Sequence, residues 1–114
     1  MSELLGIARF TFHKGKVEEY KRLNEQCMEI VRTKDTGMLQ YEVYFNDDES
    51  QAVVLERYKN STALMKHSAN ISHLMEPIMA TASVSGELLG EASAELKASL
   101  ADGPVGLFTL FQSI

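Results

Sequence analysis

Cysteine is nearly absent: Cys27 stands alone among 114 residues. No intramolecular disulfide can form, no zinc site can rest on several thiolates, and the natural setting is a reducing compartment. Basic charge is also scarce, with 11 Lys and Arg against 16 Asp and Glu, a net charge of −5, and no basic cluster. Such a chain competes poorly for nucleic-acid phosphates. No apolar run reaches the roughly 20 residues that span a bilayer. The opening MSELLGIARFTF lacks a basic segment followed by a long apolar one, so it does not read as a signal peptide. The expectation is a cytoplasmic protein with no nucleic-acid or membrane partner. Internal repeats, low-complexity tracts and long linkers are missing too, which predicts a single domain over residues 1–114. With 45% hydrophobic and 24% charged residues, the chain has the means to bury a core and is not disordered.

What is present is a succession of short periodic segments. Residues 4–12 (LLGIARFTF) predict a strand, followed by a turn at His13-Lys14-Gly15. Over 16–34, Val17, Tyr20, Leu23, Cys27, Ile30 and Val31 recur at three and four residues, the mark of an amphipathic helix. Gly37 is suited to a left-handed cap after it. In 38–46, Leu39, Tyr41, Val43 and Phe45 alternate with Gln40, Glu42, Tyr44 and Asn46, which predicts a strand. Residues 52–58 return as the second arm of a hairpin. Asn60 or Ser61 can cap a helix over STALMKH, and after a break near Ser68–Asn70 a further helical piece, ISHLMEPIMATA, carries a kink or fresh start at Pro77. Residues 83–90 predict a fourth strand. The order β-α-β-β-α-β is the ferredoxin-like split unit, an α+β fold with an antiparallel sheet. A short helix over 93–101 and an apolar strand over 105–111 extend it.

Neither face of this sheet is polar. Leu5 and Ile7 lie opposite Phe10 and Phe12, and Val53 and Leu55 lie opposite Ala52, Val54 and Tyr58. A sheet with helices on one face and water on the other alternates more cleanly. A second copy of the chain is the economical cover for the second face, so a homodimer is expected. Pairing with a partner would also protect the apolar tail VGLFTLF from acting as an open edge.

The stretches TGMLQYEVY (36–44) and VLERYKNSTALMKH (54–67) resemble the antibiotic biosynthesis monooxygenase family. Its pattern has a glycine opening strand two, a Tyr-Glu pair within it, Glu-x-Trp in strand three and a histidine at the end of the next helix. Gly37, Tyr41-Glu42, Glu56 and His67 match, and Tyr58 stands where tryptophan is common. The resemblance covers residues 3–90; the tail, with its GELLGEASAEL passage (86–96), resembles an extension found in some members, and 91–114 is expected to stabilise the dimer. It implies a dimeric α+β barrel with a pocket between each sheet and its helices. It also implies oxidation of quinols or related phenols by O2 with no cofactor and no metal. The haem-degrading branch uses an asparagine on the first strand and a tryptophan. Tryptophan is absent here, and no asparagine precedes Asn24.

Such a reaction needs a base beside a bound phenol, so His67 is the candidate base, with Tyr44 beside it in the catalytic role. Glu42, Glu56, Tyr58 and His73 are candidate substrate-binding residues. Each has a plainer reading. His67 can satisfy the carbonyls at a helix end. Tyr44, Glu42 and Glu56 can serve cross-strand pairing, with Arg57 or Arg9 as charge partners. His67 and His73 are six apart, so one straight helix does not align them on a metal. Met28, Met65, Met75 and Met79 read as core filler and Cys27 as a small buried hydrophobe. A copper chaperone would need a C-x-x-C loop, and an RNA-binding module a basic-aromatic strand. Neither is present. The serious rival is a non-catalytic dimeric module that binds a small aromatic molecule.

Overall fold

The computed structural model describes residues 3–114. The elements run β1 (Leu4–Phe12), α1 (Val17–Lys34), β2 (Met38–Phe45), β3 (Gln51–Tyr58), α2 (Ser61–Asn70), α3 (Ser72–Met79), β4 (Ala82–Leu89), α4 (Ala94–Leu100) and β5 (Val105–Phe108). One open sheet has the strand order β2-β3-β1-β4-β5. Strand β1 lies between β3 and β4 and is antiparallel to both, and β2 is antiparallel to β3. This is the expected α+β, ferredoxin-like arrangement. Among the described residues no helix is long and apolar enough to cross a membrane.

Strand β5, added to the antiparallel four-stranded unit, pairs parallel to β4. Parallel neighbours need a crossover, and α4 supplies it. The strand is also shorter than predicted. Beyond Phe108 the chain forms no regular structure, and Leu110, Phe111 and Ile114 stand exposed.

The helices cover one face of the sheet. Helix α1 buries Tyr20, Leu23 and Cys27, the three-and-four stripe read from its sequence. Glu18 and Glu19 in its first turn and Arg32 and Lys34 in its last complement the helix dipole. Beneath α1 and α3, a core including Phe10, Val54, Ala52, Leu74 and Ile78 forms. A second core joins Leu4, Tyr58 and Leu88 to Leu96 of α4. Truncating a side chain buried as fully as Leu96 typically costs about 2–5 kcal/mol.

Three local expectations are corrected. Leu39 does not share the inner face with Tyr41; a register shift between Met38 and Gln40 turns Leu39 outward and tucks Met38 against the second core. The helical break falls at Ile71, between α2 and α3, while Pro77 stays inside α3. In so short a helix, proline forfeits a single backbone bond. Gly37 is not a left-handed cap, because the positive-φ glycines are Gly15 and Gly90. It is required for space instead: a Cβ there would lie 2.5 Å from the Ala63 Cβ of α2. The capping choice at α2 resolves to Asn60, whose side chain accepts from the Ala63 N–H at 2.9 Å.

Gly37→Ala is therefore expected to destabilise the protein by about 1–3 kcal/mol through overpacking. Adding Ala63→Gly should recover part of this loss, less about 1 kcal/mol for glycine inside a helix. Urea unfolding of the two single variants and the double variant tests the coupling. Additive losses would show that the contact is not the cause.

Candidate active site

A cavity of about 330 Å³ lies between the inner face of the sheet and the helices, lined by members of both cores. Gly6, Ala8 and Val54 form part of its floor, and Ile71, Met75 and Ile78 part of its helical wall. Leu100, Pro104 and Val105, from the segment after β4, close one side. Into this apolar space project Asn24, Tyr41, Glu56, Tyr58 and His67.

His67 belongs to the last turn of α2 and is 3% exposed. Its Nδ1 lies 2.5 Å from Oδ2 of Asp35, the residue that ends α1. A bare nitrogen cannot face a carboxylate oxygen at that distance, so Nδ1 carries the proton and donates it. Asp35 is itself buried, and its Oδ1 accepts from Asn70 Nδ2 at 2.6 Å. A carboxylate beyond a helix C-terminus gains nothing from the helix dipole. These two donors hold it there. On the other side of the ring, Nε2 lies 3.6 Å from Glu56 Oε1, and the Tyr58 hydroxyl donates to that same oxygen. The rings of Tyr41 and Tyr58 flank the imidazole, with centroids 6.2 and 5.9 Å from it. The Tyr41 hydroxyl donates to Asn24 Oδ1 at 2.9 Å.

Burial is the main cause that pushes the phenols of Tyr20, Tyr41 and Tyr58 above their usual range, and the nearby charge of Glu56 adds to it. The same two causes push the Cys27 thiol up to about 11. Each of these groups stays protonated at neutral pH. The arrangement can therefore accept, hold and return a proton at His67 and Glu56 inside an apolar chamber. Among the described residues, no group of three or more His, Cys, Asp and Glu side chains is placed to hold a metal ion.

Of the residues singled out from sequence, Glu56, Tyr58 and His67 converge on the cavity. Tyr44 and Glu42 do not. They lie on the opposite face of β2, where Tyr44 is 54% exposed and its hydroxyl donates to Glu42 at 2.7 Å. Strand alternation decides this, since Tyr41, Val43 and Phe45 take the inner face. His73 is exposed on α3, where Leu74 and Ile78 hold the buried positions. Arg57 and Arg9 do not pair with Glu56 or Glu42. Arg57 meets Glu3 and Gln40, and Arg9 meets Glu87. Sequence reasoning passed over Asp35, Asn70 and Asn24. Asn24 did leave a signal, since it sits four residues after Tyr20 and three before Cys27 on the buried stripe. Asp35 left none, because an aspartate before Thr36-Gly37 reads as an ordinary turn residue.

The raised thiol and phenols give a pH signature. An acid whose folded pKa is raised stabilises the protein below its unfolded pKa, and that contribution is lost as pH rises through the folded value. For Cys27 the window runs from 9.0 to about 11. The three tyrosines add the same sign from 10.0 upward. The urea midpoint should fall across this window, and Cys27→Ala should make the fall shallower. A midpoint that rises from pH 9 to 11 would contradict the assignment.

The sequence profile of the antibiotic biosynthesis monooxygenase family matches residues 5–74, which include Asp35, Glu56, Tyr58 and His67. MupZ from Pseudomonas fluorescens is 25% identical, with a TM-score of 0.87 over 100% of this chain and 94% of that one. Rv0793 from Mycobacterium tuberculosis is 21% identical, with a TM-score of 0.71 over 81% of this chain and 97% of that one. A variant of SnoaB, a cofactor-independent oxygenase from Streptomyces nogalater, is 14% identical, with a TM-score of 0.70 over 82% and 97%. The last two likenesses are ones of fold. No curated protein matches the chain in sequence. The profile covers more than half of the chain, from β1 into α3, and on that ground this chain belongs to the antibiotic biosynthesis monooxygenase family.

Proposed function

We propose that this chain is a cofactor-free monooxygenase that oxidises a quinol or related phenol with O2, as a cytoplasmic homodimer. The observation that carries the reading is His67. It is buried at the cavity wall, with Nδ1–H anchored on Asp35 and Nε2 turned toward Glu56. Triplet O2 reacts slowly with closed-shell molecules, but an electron-rich phenolate can give it one electron. The work left to the protein is to bind the phenol, take its proton and exclude bulk water. In this reading His67 is the base, and Glu56 with Tyr58 holds the substrate hydroxyl. Electron transfer gives an aryloxyl radical and superoxide, which combine at a ring carbon as a peroxide. Loss of water then leaves a new carbonyl, so one oxygen atom enters the product and the other leaves as water.

The outer sheet face supports the dimer. Leu5, Ile7, Val53 and Leu55 are only partly buried there, and Leu39 is 51% exposed. A second sheet laid on this face would complete the α+β barrel. Residues 1–114 would work as one unit, with 91–114 stabilising the pair through its exposed Phe108, Leu110 and Phe111.

One observation favours the non-catalytic binding module: both ring nitrogens of His67 already face carboxylates of the protein. Oxygen uptake by metal-stripped protein against hydroquinones and anthrones separates the readings. Uptake proportional to enzyme is expected, with His67→Ala losing it by about 10²–10⁴-fold. Asp35→Asn should lower kcat while KM changes little, because the imidazole then loses its fixed tautomer. Uptake unchanged in His67→Ala would remove its role as base. No uptake above buffer would favour the binding module.

A further inference from the structure

We propose that this cavity takes hydroxyl-bearing aromatic ligands that arrive without a negative charge, and that the Glu56 carboxylate is the filter that turns acids away. The inference rests on the cavity being the ligand site of the reading above and adds the charge class of what enters it.

No lysine or arginine lines the cavity among the described residues. The second carboxylate residue at its wall, Glu87, is bound by Arg9 at 3.2 Å. Glu56 has no such cation. Its neighbours are the neutral Tyr58 hydroxyl and His67, whose own proton is committed to Asp35.

The hydrogen-bond inventory points the same way. Tyr58 spends its hydroxyl proton on Glu56, Tyr41 spends its own on Asn24, and His67 Nδ1–H goes to Asp35. What remains for a ligand is two acceptors, the second Glu56 oxygen and His67 Nε2, and donors that carry no charge, the Tyr20 hydroxyl and the Asn24 amide nitrogen among them. A hydroxyl finds partners in this set. A carboxylate finds no cation in this set and would meet the half-buried charge of Glu56, a costly juxtaposition in an apolar site. The same charge acts on the cavity's own acids: after burial, Glu56 is the next cause that raises Tyr41, Tyr58 and Cys27.

This exclusion is compatible with forming a phenolate inside. A neutral phenol that gives its proton to His67 or Glu56 relocates charge within the site and adds none. A ligand that arrives ionised adds a full negative charge.

Calorimetric titration with 2-naphthol, 2-naphthamide, 2-naphthoate and naphthalen-2-ylmethylammonium tests this without turnover. The first three share a ring system, and only the third is an anion at neutral pH. We expect 2-naphthol to bind at least about tenfold more tightly than 2-naphthoate, with 2-naphthamide also ahead of the acid. Glu56→Gln should close the gap by strengthening 2-naphthoate, whereas Glu25→Gln, the same charge change on the exposed face of α1, should leave it. The comparison of amide with acid in the unaltered protein stands even if Glu56→Gln does not fold. Naphthoate binding as tightly as naphthol, naphthamide or the ammonium, no binding by any of the four, or an unchanged ratio in folded Glu56→Gln would each overturn the inference. Charge selectivity without oxygen uptake would overturn only the oxygenase reading. Oxygen uptake without charge selectivity would overturn only this one.

Discussion

The contact on which the site depends is the buried pair of Asp35 and His67, 32 residues apart in sequence and 2.5 Å apart in space. It ties the end of α1 to the last turn of α2. A buried carboxylate or imidazole left alone would be expensive, and breaking such a pair costs more than the pair contributes. The network around it is therefore closed. Asn70 takes the second Asp35 oxygen, Tyr58 takes Glu56, and Asn24 takes Tyr41. Among the described residues, no buried side-chain nitrogen or oxygen lacks a hydrogen-bond partner. Gly37 belongs to the same junction. Two residues after Asp35, it lets the chain pass against Ala63, one helical turn before His67. The close approach of α2 and the anchoring of His67 are thus two parts of one local arrangement.

What was legible in the sequence followed from period and order. The stripe of α1, the alternation of β2 and β3 and the succession of elements all rest on side-chain spacing, which local geometry sets. That reasoning brought Glu56, Tyr58 and His67 together because an inner strand face meets the helix that follows it. It stopped where a choice between faces was needed. Tyr41 and Tyr44 are both tyrosines of β2, three residues apart, and an odd separation places them on opposite faces. Composition does not say which face meets the cavity; the core that forms with Tyr20 and Phe10 does. Asp35 was illegible for a stronger reason, since its role exists only after α1 and α2 have docked. The reversed direction of β5 also required tertiary knowledge, because an apolar terminal run does not state which edge of the sheet it joins.

The sheet divides the molecule's tasks between its two faces. The inner face carries the polar chain from Asp35 to Tyr58 within an apolar wall. The outer face carries Leu5, Ile7, Val53 and Leu55, with the Gln40–Glu42–Tyr44 hydrogen bonds near one edge. A large apolar surface on a sheet calls for a cover, and in the proposed dimer that cover is a second copy. The segment after β4 belongs to both tasks. Leu96 seals the second core, Leu100 and Val105 wall the cavity, and the residues after Phe108 extend outward. Ordering of this tail by a partner would therefore bear on the shape of the cavity as well as on assembly.

The arrangement of charge explains how one site can both repel acids and generate an anion. Asp35 lies behind the imidazole, away from the ligand space, and Glu56 lies in front of it. A proton passed from a ligand to His67 Nε2 forms an imidazolium between the carboxylates of Asp35 and Glu56. The positive ring then stands beside the new phenolate and offsets the field of Glu56 at the moment the anion forms. A ligand that is already ionised brings no proton and leaves that field uncompensated. The same row of side chains thus gives a ligand's proton a place to go within the cavity and opposes entry of a second negative charge.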